Sequence, residues 1–262
     1  MASRATQSEL LQQRIAENTS AQQIDLASWI FQRVALHPHH RVLELCCGTG
    51  GQTLKMLERL QSPGGVVAMD VSQDALTVLA SRVPPQNPAG LNLLNGNLDD
   101  LTAPLHLAGF RAPAFDLVFC AYGLYYSADA QRTLNEARSW LNPGGRIAVV
   151  GPFGPNNKPL FDMLRDCGVV IPDPVIASSE RFMGDSVLPW AARNFEHVSI
   201  HTMVNPVPWT APERVLNYWQ NTTFYDAEKH AAFEARLRRH FQQHLQFVNE
   251  KWVMLAEMTN AR

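Results

Sequence analysis

The sequence predicts an α/β protein: a doubly wound, mostly parallel seven-stranded sheet with helices on both faces. Three observations predict it. Short, almost wholly apolar runs alternate with segments of helical periodicity, and strands apolar on both faces belong to parallel sheets buried between helices. Glycine, proline or a small polar residue punctuates the junctions. A glycine burst, Gly48-Thr49-Gly50-Gly51, follows closely on the first such run.

Taken in order, residues 21–35 place Ile24, Ala27, Ile30 or Phe31 and Val34 at helical intervals, which predicts a helix. Residues 41–46 read as a buried strand. An amphipathic helix over 51–61 follows, halted by Pro63-Gly64-Gly65. Residues 65–70 are the second strand, and Ser72 caps a helix running to about Val83. A turn-rich loop covers 84–90. Residues 91–96, 115–121 and 145–153 read as the third, fourth and fifth strands, with a helix over 128–141 before the fifth. The second half is less regular. It holds helical patterns over 157–167, 186–194, 211–220 and 227–245, and strands over 196–204 and 246–258. Right-handed crossovers make such a sheet doubly wound. We read residues 1–262 as a single domain, with an N-terminal helical lid over 1–40 and a helical insert over 205–245 as a substrate cap. No internal repeat or low-complexity tract occurs.

The 262 residues are 46% hydrophobic and 18% charged, so the chain can bury a substantial core without a disulfide or metal staple. A net charge of −2 provides no field for nucleic acid. The basic cluster at 236–240 reads as the solvated face of a helix. Four cysteines (Cys46, Cys47, Cys120 and Cys167) lack CxxC spacing, so we expect no metal site, and reduced thiols suit a cytoplasmic protein. The N-terminus carries Glu9 and Glu17 and no apolar segment, so no signal peptide is expected. No apolar run is long enough to cross a bilayer. A homodimer stays open.

The chemistry begins at the glycine turn. Ligands of doubly wound sheets bind beyond the carboxyl ends of the strands, and glycine lets backbone approach them closely. Glu44 stands just before this turn. A pyrophosphate above the helix start would be repelled by it, whereas a ligand with an ammonium group and a sulfonium would be favoured. Asp70 ends the second strand, where a carboxylate accepts hydrogen bonds from ribose hydroxyls. Gly96-Asn97 and the run 115–126 add polar groups along the same sheet edge.

The segments VLELCCGTGGQT (42–53), VVAMDVS (66–72), LLNGNLDDL (93–101), FDLVFCAYGLYY (115–126) and LNPGGRIAVVGP (141–152) resemble, in order and spacing, the class I S-adenosylmethionine-dependent methyltransferases. The likeness is to the small-molecule branch that includes quinone-biosynthesis C-methyltransferases. It covers residues 41–152; beyond about 155 only the general layout is shared. The resemblance implies S-adenosylmethionine as methyl donor and S-adenosylhomocysteine as product, and the aromatic and apolar content of residues 21–35 and 205–245 suggests a small, partly hydrophobic acceptor. It places Glu44 near the methionine amino group, the backbone of Cys46, Gly48 and Gly50 under methionine and ribose, and Asp70 on the ribose hydroxyls. Val71 would flank adenine. Asn97, where the family usually has aspartate, would face the adenine amino group. Leu98 would offer its N–H to the ring, and Cys120 a backbone carbonyl to the amino group. Cys46 stands where the family has glycine; being small, it is expected to be tolerated at a negative φ.

Other readings stay open beside these. Tyr122, Tyr125 and Tyr126 either line the acceptor pocket or pack as plain aromatics. Cys46, Cys47 and Cys120 read as small buried residues rather than a thiol site. His37, His39 and His40 read as a surface loop. Trp209, Tyr218, Trp219, Phe224 and Tyr225 are a lid, an interface or a core. A nicotinamide-dependent oxidoreductase is one rival, but its G-x-G-x-x-G/A pattern counted from Gly48 ends on Thr53. The other is a methyltransferase acting on protein or RNA.

Overall fold

A computed structural model describes residues 8–260; the first seven residues of the expected lid lie outside it. The elements are α1 (Ser8–Ala21), α2 (Leu26–Phe31), β1 (Arg41–Leu45), α3 (Gly51–Leu57), β2 (Gly65–Asp70), α4 (Gln73–Arg82), β3 (Gly90–Asn95), α5 (Thr102–Leu107) and β4 (Phe115–Ala121). Then come α6 (Ala130–Ser139), β5 (Leu141–Pro152), α7 (Lys158–Asp166), α8 (Asp173–Ile176), α9 (Leu188–Asn194), β6 (His197–Trp209), α10 (Pro212–Gln220), α11 (His230–Gln243) and β7 (Phe247–Thr259). The strands form one sheet in the order β3-β2-β1-β4-β5-β7-β6. The pairings of β1 with β2 and β4, of β2 with β3, and of β4 with β5 are all parallel.

The chain divides into two compact units. One gathers Leu26–Gly151, Phe182–Thr202 and the chain from Met254 on. Its central strands are buried almost throughout, because helices cover both faces: Val42, Leu43, Leu117 and Phe119 are fully enclosed. Strand β3, at the sheet edge, is only partly covered. Ser72 caps α4 as its sequence position predicts, its Oγ accepting the Ala75 N–H at 3.2 Å. Asp129 caps α6 in the same way through the Arg132 N–H, at 3.0 Å. Strand β5 starts four residues before the predicted one. The Asn142-Pro143-Gly144-Gly145 run is absorbed as a bulge, between the register pairs Phe115–Leu141 and Leu117–Arg146.

The other unit gathers residues up to Asp25, with Pro152–Arg181 and Met203–Val253. Trp209 and Trp219 are fully buried there with Leu160, Val215, Phe233 and Leu237, and Phe224 and Tyr225 pack against them. The aromatic set of the second half is therefore core. The helix predicted over 21–35 is interrupted instead. Asn205 explains why: its Oδ1 accepts the Ile24 N–H at 3.0 Å and its Nδ2 donates to the Ile24 carbonyl at 2.7 Å, taking both groups a helix would use. Within 236–240, Leu237 is buried while Arg238 pairs with Glu234 at 2.8 Å on the solvent side.

Candidate functional site

The site is built at the carboxyl ends of β1, β2, β3 and β4, all in one unit. Leu45 is in register with Met69 and with Cys120, and Asp70 with Asn95, so the residues that follow these strands emerge at one level. The glycine turn leaves β1 with three left-handed residues in quick succession: Cys46 at φ 56°, Gly48 at 53° and Gly50 at 85°. Gly48 has open space where a side chain would stand, whereas a Cβ on Gly50 would lie 2.2 Å from Leu79. The first glycine thus leaves a gap above the sheet, and the second leaves room for the Leu79 side chain of α4.

Asp70 is tied into this turn. One carboxylate oxygen accepts the Gly48 N–H at 2.8 Å, and the other accepts the Ser72 N–H at 2.9 Å. Asn95 holds the Asp70–Val71 backbone from the next strand, its Nδ2 donating to the Val71 carbonyl at 2.9 Å. Val71 itself is 65% exposed, an apolar side chain standing in solvent beside the carboxylate.

Glu44 lies beneath the turn and is only 2% exposed. Burial pushes its carboxyl up to about 8, the nearby Asp70 charge adds to that, and a 2.5 Å hydrogen bond from the Thr53 hydroxyl opposes it. A carboxyl raised this far favours its protonated form at neutral pH. Burial likewise raises the thiol of Cys47, and a hydrogen bond with Cys120 together with burial raises that of Cys46, so neither is a ready nucleophile. All four cysteines are free thiols.

Cys46 departs from expectation. Its φ is positive, not negative, and the turn accommodates it in another way: the Cys46 side chain lies against Gly123, where no Cβ competes for the space. A second non-glycine residue at the sheet edge, Tyr122, also adopts φ 56°, with its N–H donating to the Val150 carbonyl at 2.8 Å. Left-handed conformations at two adjacent strand tips concentrate backbone strain where a ligand would lie. Past Tyr122, the Tyr125 ring contacts Tyr126 at 4.7 Å and meets Phe182 edge-on at 5.9 Å; Tyr126 is half exposed.

After β3, Asn97 turns its Oδ1 back to accept the Asp99 N–H at 3.0 Å. Leu98 is buried, and Cys120, one residue before the end of β4, is buried beside Cys46. Every residue proposed from the sequence thus lies on this one edge. Thr53, Gly123 and Asn95 escaped the sequence reading, although all three sit inside its quoted motifs. Their roles are partnerships across the fold, and spacing along the chain carries no sign of them. His37 and His40 contact each other at 4.7 Å in a polar cleft with Asp116 and Arg146, away from these strand ends. Among the described residues no cluster of three or more His, Cys, Asp or Glu is placed to hold a metal, and no helix is long and apolar enough to cross a membrane.

Residues 42–145 match the methyltransferase-domain family. The matched segment contains the strand ends described above. Demethylmenaquinone methyltransferase of Lactiplantibacillus plantarum is 33% identical over 130 residues, 49% of this chain and 52% of that protein. The 2-phytyl-1,4-naphtoquinone methyltransferase of Trichormus variabilis is 31% identical over 122 residues, 46% of this chain and 50% of that protein. The chain therefore spans about half the length of these curated relatives. Among solved structures, the YcgJ protein of Bacillus subtilis shares the fold at a TM-score of 0.61 and 14% identity, over 90% of this chain and 98% of that one. Geranyl diphosphate C-methyltransferase of Streptomyces coelicolor, solved with S-adenosyl-L-homocysteine, aligns at a TM-score of 0.50 and 16% identity, over 90% of this chain and 75% of that one.

Proposed function

We propose that this protein is an S-adenosylmethionine-dependent methyltransferase acting on a small, partly hydrophobic metabolite. One observation carries the reading: two carboxyls, Glu44 and Asp70, lie on neighbouring strands at the glycine turn, close enough for the charge of one to raise the pKa of the other. Such a pair suits a ligand that is cationic at one end and a nucleoside at the other. The open space above Gly48 and the exposed side chain of Val71 fit the same ligand.

When bound, S-adenosylmethionine supplies a sulfonium-activated methyl group with a thioether as leaving group. The chain's own residues hold and orient it. Glu44 ionises against the methionine ammonium, and Asp70 accepts the ribose hydroxyls while its own position is fixed by Gly48 and Ser72. Val71 covers one adenine face, Leu98 offers its N–H to the ring, Asn97 stands at the ring edge, and Cys120 presents its carbonyl to the amino group. The backbone of Cys46 and Gly50 forms the floor. Holding the acceptor in line with the departing methyl, with water excluded, is the main catalytic contribution. Tyr122, Tyr125 and Tyr126 follow β4 and are candidates for receiving a proton from the acceptor.

The relatives' names point to an acceptor of the naphthoquinone class. We place acceptor choice in residues 1–40 and 205–245, since the sheet edge is taken up by the cofactor. A cytoplasmic setting accords with four reduced cysteines. Labelled methyl transfer into a cell extract tests the reading. Label is expected in the organic-extractable small-molecule fraction; label confined to protein or RNA, or no transfer, overturns it. Tyr-to-Phe changes at 122, 125 and 126 that leave turnover intact would remove a hydroxyl role.

A further inference from the structure

Cys46 and Cys120 come together across two paired strands. Leu45, the last residue of β1, is in register with Cys120 on β4. In a continued strand the next residue, Cys46, would point to the opposite face of the sheet. The left-handed backbone at Cys46, φ 56°, ends that alternation, and its thiol is hydrogen-bonded to that of Cys120. Both sulfurs border the bare α-carbon of Gly123: a Cβ there would lie 2.6 Å from Cys46 Sγ and 3.3 Å from Cys120 Sγ. Cys46 is partly exposed and Cys120 is buried, so solvent reaches the pair through Cys46. The other two thiols are engaged elsewhere. Cys47 turns its sulfur to the Gly48 carbonyl at 3.7 Å, and Cys167 lies in the other unit with its sulfur 3.8 Å from the Ala232 carbonyl.

Two adjacent thiols are a chelating pair, and their protonation decides for which ligand. Zinc binds thiolates, and its structural sites take four ligands. Neither condition is met here. The mutual hydrogen bond and burial hold the Cys46 thiol in its protonated form, and among the described residues no group of three or more His, Cys, Asp or Glu is placed to hold a metal. Trivalent arsenic asks for less. Arsenous acid is uncharged at neutral pH and exchanges its hydroxyl groups for thiols. With two thiols it forms two As–S bonds, keeps one hydroxyl and releases two waters. Each thiol proton leaves with an arsenic hydroxyl, so no charge is buried and no oxidant is consumed. The product holds its two sulfurs close together, as the two thiols already are.

We propose that Cys46 and Cys120 form a dithiol site for trivalent arsenicals at these strand ends, and that its occupation excludes the methyl donor. The second part rests on the reading that the Cys46 backbone floors the cofactor site; the first does not.

Calorimetric titration of the purified, reduced chain with arsenite tests it, beside Cys46→Gly, Cys120→Ser and Cys167→Ser. Wild type and Cys167→Ser should bind one arsenite per chain, with the ultraviolet absorption of As–S bonds, and dithiothreitol should remove it. Cys46→Gly and Cys120→Ser keep one arm of the chelate and should bind at least about a hundredfold more weakly. Cys46→Gly relieves a left-handed side chain, so it decides should Cys120→Ser fail to fold. A wild type that does not bind arsenite, or a Cys46→Gly chain that binds it as tightly as the wild type, overturns the dithiol site. The arsenite-loaded wild type should no longer bind S-adenosylhomocysteine; a loaded chain that still binds it overturns the exclusion. An arsenic-free chain that binds no S-adenosylhomocysteine overturns the cofactor reading instead, and the thiol result stands apart from it.

Discussion

The side chain of Cys46 occupies the space that a side chain at residue 123 would need: a Cβ on Gly123 would lie 2.3 Å from Cys46 Cβ and 2.6 Å from its Sγ. The two residues follow β1 and β4, which are paired in the sheet. Gly123→Ala should destabilise the chain by roughly 1–3 kcal/mol through overpacking. Cys46→Gly frees the space and relieves a left-handed non-glycine residue, so it should be neutral or stabilising. The double variant should recover most of the Gly123→Ala loss. Thermal unfolding of the four proteins checks the coupling; additive effects would show that the two sites do not share this space.

Glu44 gives a pH dependence with a defined sign. Its ordinary value of 4.5 is raised to about 8 in the folded chain, mainly by burial. Between those values the unfolded chain carries the charge and the folded chain does not, so stability falls as pH rises from about 4.5 to 8 and levels off above. Thermal unfolding of the wild type should lose ground to Glu44→Gln across that window. Affinity for a cationic ligand should run the other way, rising toward pH 8 as less work is needed to ionise Glu44, with proton release measurable in buffers of different ionisation enthalpy. Thr53→Val removes the hydrogen bond that holds the carboxyl down, and should move both effects to higher pH.

Gly48 and Gly50 should respond differently to alanine. Gly50→Ala drives a methyl into Leu79 and forces a left-handed alanine, so a loss of roughly 2–4 kcal/mol of stability is expected. Gly48→Ala meets open space and should cost only about 1 kcal/mol of backbone strain. It should nevertheless abolish binding of S-adenosylhomocysteine, because its methyl fills the ligand's space. Unfolding and calorimetry on the same samples separate the two.

Asn205→Ala tests the other unit. It removes both hydrogen bonds that hold Ile24, leaving its part-buried backbone groups without that partner. A stability loss of roughly 2–4 kcal/mol is expected, seen as a lower unfolding midpoint in urea.

Much of this was readable from the chain. The five parallel strands announced themselves because helices on both faces demand continuous apolar runs, and Ser72 and the glycine turn carry their geometry in their residue types. Glu44 and Asp70 stood out because a carboxylate at a buried strand end needs a reason. Elements set by partners distant in sequence did not show. Asn205 breaks the predicted helix at Ile24 from far along the chain. The bulge opposite Phe115 takes in a run that reads as a turn. The Cys46 side chain takes space that only a glycine at 123 leaves open. Local pattern reports propensity and burial, while these features arise from pairwise contacts that the pattern does not encode.

Calorimetric titration of the purified chain with S-adenosylhomocysteine, beside Asp70→Ala and Asp70→Asn, is the most direct measurement. Saturable one-to-one binding is expected from the wild type, with affinity reduced by about a hundredfold in both variants while the fold is kept, since two ribose hydrogen bonds to a charged acceptor are lost. A wild-type chain that does not bind, or variants that bind as tightly as it does, would contradict the assignment of this sheet edge to an adenosyl cofactor.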